Sequence, residues 1–347
     1  MAKASSRQAM EAVGDWYHAW FTGVILAAVS RRGSRDAAEL VFRVFRHQQQ
    51  VRFLPGLVKL GIDGLPPAVA AARYHYLSNA IGGVGVEYHE ESSKKVWVRY
   101  PPPRWVWPGA TICAISGEVN AAMLRGWHAN NGVLLGCLRL GFVCCAQTVD
   151  GQPGLEGYYL EHDRDLAPQE RLRFSRAERM PRFDPARAPV LAASGWPPER
   201  LAKAKRGYAL EYARTALQEA VAVFGPMEGG HLLGLAARLV AMQSYATTAT
   251  ALGLVPDGRL ETFADFMLAL AHAQGDRAHV AGRQPGLIEI EQPRPGLFGR
   301  IDPVHPAMLT AWNELLVGAL AAHDRFAELS FEPRHDGMLR WRLRQAP

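Results

Sequence analysis

Apolar positions recur at helical spacing from Gln8 to Ser30, through Trp16, Trp20, Val24, Ala27 and Ala28, and a stripe of that period predicts an amphipathic helix. Gly33-Ser34 interrupts it. Ser34 can cap a second helix from Arg35 to about Phe53, with Leu54-Pro55-Gly56 as its stop signal. Pro66-Pro67 opens a third helix, Ala68–Ala80, which Gly82-Gly83 closes. The period then switches to two: Val84–Tyr88 and Lys95–Tyr100 alternate on either side of His89–Lys94 and predict a hairpin. Pro101-Pro102-Pro103 forces an extended exit, and Trp105-Val106-Trp107 are expected to plug against the sheet edge. A long apolar helix is predicted from Glu118 to about Leu140. It runs into a second hairpin, Phe142–Val149 and Leu155–Glu161, turning at Gly151-Gln152-Pro153-Gly154.

Residues 163–199 are rich in proline and arginine, and Leu166, Phe174, Phe183 and Leu191 are spaced to anchor them as a strap over the surface. Pro198 begins a helical pattern that reaches Phe224.

Beyond it the first half recurs in weakened form. Gly64–Arg73 matches Gly229–Arg238, Val96–Pro103 matches Ile288–Pro295, and Ala122–Trp127 matches Ala307–Trp312. The closing hairpin Phe142–Leu160 matches Phe326–Leu343, with Gly154 opposite Gly337 and Tyr158 opposite Trp341. A helix at about Leu260–Gln274 reads as an insertion. The predicted class is α+β, in two tandem pseudo-repeated units of order ααββαββ, each an antiparallel sheet packed with helices. The expected boundaries are residues 1–162 for the first unit, 163–199 for the linker and 200–347 for the second. Two such units would pack about a pseudo-twofold axis, with a pocket between helix and sheet or at the junction of the halves.

The order of these elements, together with the Phe142–Glu161 region, resembles the L-2-amino-thiazoline-4-carboxylic acid hydrolases and the related four-vinyl-reductase-type small-molecule-binding domains. The resemblance implies a helical lead-in, a β-β-α-β-β core with a cysteine-bearing final hairpin, and action on a small molecule. Here the paired cysteines, Cys144 and Cys145, sit on the first strand of that hairpin.

Paired halves let the chain serve as its own contrast: positions that only pack stay apolar in both, whereas reactive positions are polar in one. By the matched blocks His75 faces Val240, His128 faces Asn313, Cys144 faces Glu328 and Cys145 faces Leu329. The first half is therefore the expected working half. His231 and His323 are exceptions of the opposite sense. His128, beside Trp127 and one turn from Asn131, is the leading candidate for a general base, and His75 lies between two tyrosines on the third helix. Whichever of Cys144 and Cys145 points inward is a candidate nucleophile activated by histidine. The plainer alternatives are a buried structural histidine and cysteines that pack as small hydrophobes.

Composition narrows the classes without naming a substrate. Hydrophobic residues make up 48% and charged residues 21%, as in an ordinary globular chain. The net charge of +6 is spread as scattered arginine rather than as a basic stripe interleaved with aromatics, so a small molecule is a better expected partner than nucleic acid. Four cysteines do not form a disulfide framework. No apolar run reads as a membrane span and no cleavable leader pattern is evident, so the expected location is cytoplasmic, without membrane association. A homo-oligomer is allowed but not required. His75, His89, His128, Glu118 and the cysteines do not match a zinc spacing, Gly82-Gly83-Val84-Gly85 lacks the helix and lysine of a phosphate loop, and no cofactor is expected. Two functions stay open: a hydrolase or lyase with a His/Cys site in the first half, or a non-catalytic small-molecule binding or sensing protein.

Overall fold

The computed structural model describes residues 5–102, 115–191, 195–334 and 336–345. Cys113 and the Trp105–Trp107 plug lie outside them. The chain is α+β, and its described residues form a five-stranded and a four-stranded sheet. It divides into two compact units, residues 28–197 and residues 1–27 with 198–347. The grouping differs from the sequence expectation in two places: the strap counts with the first sheet, and the first 27 residues count with the second.

The unit of residues 28–197 begins within α1 (Ser6–Arg32) and continues through α2 (Ser34–Leu60), α3 (Pro67–Ile81), β1 (Glu87–Ser92) and β2 (Lys95–Tyr100). After these come α4 (Gly117–Gly126), a 3-10 turn His128–Asn130, α5 (Asn131–Leu134), β3 (Leu140–Ala146), β4 (Leu155–Glu161) and β5 (Leu172–Phe174). The strand order is β1-β2-β4-β3-β5. All neighbours are antiparallel except β5, which the strap lays parallel to β3 along the sheet edge. The sheet is covered on both faces. One face meets the helices. On the other, Met180 of the strap packs with Trp97, Val143, Cys145 and Tyr158. Of the expected strap anchors Leu166 is buried, whereas Phe174 is exposed.

Two helical expectations fail for tertiary reasons. Helix α2 does not stop at Pro55 but runs on to Leu60. A proline inside a helix costs about 3 kcal/mol; beyond it the helix is tied to α3 by Tyr74, which packs onto the bare face of Gly56 and donates its hydroxyl to Arg52 O at 3.4 Å. The helix expected over 118–140 ends at Gly126. Gly126 crosses α2 so closely that a Cβ there would lie 2.8 Å from Phe42 O. The backbone turns at Trp127 (φ −109°, ψ −69°), and the next residues form the 3-10 turn and α5. The turn includes Asn130, and α5 begins at Asn131. Both are weak helix formers whose side chains find better partners than the helix offers.

The other unit joins the first residues of α1 to α6 (Pro198–Ala251), α7 (Leu260–Gln274), β6 (His279–Gln284), β7 (Leu287–Pro293), α8 (Pro306–His323), β8 (Ala327–Pro333) and β9 (Met338–Gln345). Its sheet runs β6-β7-β9-β8, entirely antiparallel. Helix α1 is fastened within it: Trp20 Nε1 donates to Leu233 O at 3.1 Å, and Tyr17 donates to Gln274 at 2.8 Å while accepting from Trp312 Nε1 at 2.9 Å. Helix α6 breaks at Gly225 (φ 79°), a left-handed conformation that glycine alone adopts without strain, and Pro226 restarts the helix. Helix α7, the expected insertion, precedes its hairpin in the place α3 occupies before β1 and β2. An 18-residue window of α6 is apolar enough for a membrane span by composition, although 39% of it is buried within the fold.

Candidate functional site

The helix-facing side of the first sheet carries a cluster of buried polar side chains from five elements. Gln49 comes from α2, His75 from α3, His128 and Asn130 from the 3-10 turn, Asn131 from α5 and Tyr159 from β4. All are between 0% and 9% exposed, and buried polar groups of this kind are retained only when hydrogen-bonded. Here they form one directed chain of donors. Asn130 Nδ2 donates to Gln49 Oε1 at 3.0 Å, and Gln49 Nε2 donates to Asn131 Oδ1 at 3.3 Å. Asn131 Nδ2 then reaches both His75 Nε2 at 3.1 Å and the Tyr159 hydroxyl at 2.9 Å. The Tyr159 hydroxyl contacts His128 Nδ1 at 2.7 Å.

The direction of the chain follows from the inventory of each group. Once Gln49 gives its amide N–H to Asn131 Oδ1, the Asn131 amide can only donate to the next two partners. Tyr159 accepts one of those bonds and passes its own proton to His128. Burial raises the Tyr159 pKa well above its ordinary value, so the hydroxyl keeps the proton it donates. Facing the Asn131 amide, His75 Nε2 is an acceptor; with Tyr159 donating, His128 Nδ1 is an acceptor too, and each imidazole then carries its proton on the other nitrogen. The two rings stack face to face, centroids 4.0 Å apart and planes 14° apart. Around them stand Trp127 (5.8 Å from His75), Phe142 (4.6 Å from His128) and Tyr100 edge-on to His128 at 6.0 Å.

Of the residues expected from sequence, His75, His128 and Asn131 are brought together. Cys144 and Cys145 are not part of their chain. Pairing of Phe142 with Tyr159, and of Val143 with Tyr158, settles the alternation of β3. Cys145 lies on the far face, packed with Trp97 and Met180. Cys144 shares the near face with Phe142, yet its thiol is turned to Ala146 O at 3.5 Å, beside a bulge in the ladder. Burial raises both thiols from the ordinary 9.0 to about 12, opposite to the shift an activated nucleophile needs. Among the described residues no group of three His, Cys, Asp or Glu side chains is placed to hold a metal ion.

Sequence reasoning missed Gln49, Asn130 and Tyr159. Gln49 had a signal: it continues the four-residue stripe Val41, Phe45, Phe53 that α2 buries. In the other unit the contrast residue Asn313 is buried in α8 and accepts from Trp341 Nε1 at 2.8 Å. His323 is held at both ring nitrogens, by Tyr245 at 2.6 Å and by Arg259 O at 2.9 Å. Comparison with family models, with curated proteins and with solved structures gives no match for this chain.

Proposed function

We propose that the chain is a small-molecule enzyme of the hydrolase or lyase type, centred on His75 and His128. The observation that carries this reading is the stacked histidine pair whose protons are assigned by a chain reaching back to Gln49. Two neutral imidazoles, each with one nitrogen fixed as acceptor, would leave N–H groups suited to hydrogen-bonding and polarising a substrate oxygen. Tyr159 would hold His128 Nδ1 as an acceptor and so keep the ring proton on Nε2. The thiols do not enter, because burial keeps them protonated. Resemblance to the thiazoline-carboxylate hydrolase group is carried by element order and supports a small carboxylate-bearing substrate.

The reading rests on treating the two units as copies of one fold. In favour are the like strand orders β1-β2-β4-β3 and β6-β7-β9-β8. So is the polar residue after each tryptophan, His128 or Asn313, which bonds to an aromatic residue on the second strand of the closing hairpin, β4 or β9. That pairing sets Trp341 against Tyr159, one residue from the sequence match with Tyr158. Phe142↔Tyr159 and Phe331↔Trp341 then correspond as cross-strand pairs. A one-residue slip exchanges the faces of a strand, so the side-chain contacts favour the second alignment.

A non-catalytic binding protein is the second reading, favoured by the complete burial of the chain's members. The test is turnover of a panel of small esters, amides and thiazoline carboxylates followed by NMR. Turnover that falls a hundredfold or more in His128→Gln, with folding kept, and survives in Asn313→Ala supports the enzyme. Undiminished turnover in His128→Gln, or binding of panel members without turnover, overturns it.

A further inference from the structure

The unit containing the second sheet holds a cleft of ≈ 560 Å³ where α6, after its break, crosses the start of α8. We propose that this cleft binds a small anionic molecule with an apolar body, of the aryl or alkyl carboxylate type. It uses none of the residues of the histidine site and stands independently of that reading.

The cleft exists because the crossing is built from residues too small to fill it. Gly230 touches Ala307 so closely that a Cβ on the glycine would lie 3.0 Å from the alanine Cβ, and Gly234 faces Ala311 and the Glu314 stem. The helices therefore meet at the base and leave open space above. Met227 and Leu235 wall that space on the α6 side. Met227 is 88% exposed, a flexible thioether of the kind that moulds to varied apolar ligands. The volume falls within the range of about 300–1,000 Å³ typical of small-molecule sites.

The charged groups of the cleft neutralise each other, and its remaining hydrogen-bond donors suit an anionic head. Its carboxylate, Glu314, is already held by Arg238. The remaining polar groups are His231, His305 and Thr310. His305 caps α8: its Nδ1 accepts from Ala307 N at 3.1 Å. That bond assigns the imidazole proton to Nε2, leaving His305 a donor toward a ligand. An anion can accept hydrogen bonds from His305 Nε2–H, from His231 and from the Thr310 hydroxyl. His231 was one of the two exceptions in the second half to the pattern of polar residues in the first, and this cleft gives it a role.

The experiment compares 1-naphthoate with its neutral isostere 1-naphthamide by calorimetry on the full chain. Saturable one-to-one binding of naphthoate, about tenfold or more tighter than the amide, is expected. His305→Asn keeps an N-cap acceptor but removes the imidazole N–H, and should weaken naphthoate about tenfold. Thr310→Trp should fill the cleft and abolish binding while circular dichroism reports an unchanged fold, and His128→Gln should leave binding intact. Equal affinity for the two probes, non-saturating uptake, naphthoate binding unchanged in both His305→Asn and Thr310→Trp, or occupancy of the cleft by an apolar peptide that naphthoate does not displace would each overturn the proposal.

Discussion

Tyr159→Phe removes a single oxygen from the middle of the donor chain and leaves the shape of the core unchanged. The ring keeps its packing on Phe142 at 5.0 Å, on His128 at 5.8 Å and on His75 at 5.9 Å. Two hydrogen bonds disappear, the 2.9 Å bond from Asn131 and the 2.7 Å bond to His128 Nδ1. Each leaves a buried group without its partner, and such an orphan costs about 1–3 kcal/mol. The expected loss is therefore roughly 4 kcal/mol, a Tm fall of about 8–16 °C for a unit of this size. It is read from thermal and urea melts by near-ultraviolet circular dichroism. A second readout is the imidazole 15N shift of His128, which should move from a single Nε2–H tautomer toward a mixture once Tyr159 no longer donates. A loss below about 1 kcal/mol, the range of an unremarkable surface substitution, would refute the directed chain, as would an unchanged tautomer.

The remaining predictions concern packing, protons and the contrast between the units. Gly318→Ala would put a Cβ 2.2 Å from Arg238 O, backbone that cannot give way, and should lower the urea midpoint by the equivalent of about 1–3 kcal/mol or more. Gly207→Ala, where a Cβ meets nothing within 4 Å, should cost nothing. Cys144 and Cys145 have folded pKa values of about 12 against an ordinary 9.0, so the folded state holds the proton longer than the unfolded state. Their contribution is intact below pH 9 and is lost as pH climbs from there toward 12, so Cys144→Ala should flatten the fall in urea midpoint between about pH 9 and pH 11. In the native protein at neutral pH both thiols should alkylate more slowly than the half-buried Cys137, as read by mass spectrometry. Asn313→Leu should strand Trp341 Nε1 and cost about 1–3 kcal/mol in stability, read from urea melts.

The local pattern of the sequence determined most of the elements, because period and turn chemistry act over a few residues. Strands Lys95–Tyr100 and Leu155–Glu161 and helix Leu260–Gln274 stand where alternation and helical spacing put them. Sequence also singled out His75, His128 and Asn131, since polar residues in otherwise apolar helices are costly unless they have partners. Those partners were not legible. Gln49 sits within a run of three glutamines that passes for a solvated helix face, and its partner Asn131 is 82 positions away. Tyr158 and Tyr159 are adjacent and chemically identical. Only the register of β4 with β2 and β3 turns Tyr159 toward the histidines and Tyr158 toward the strap. The same alternation removes Cys145 from the site. Tertiary contacts likewise carried α2 through Pro55 and ended α4 at Gly126, where contacts between distant parts of the chain outweigh the local backbone preference that the sequence displays.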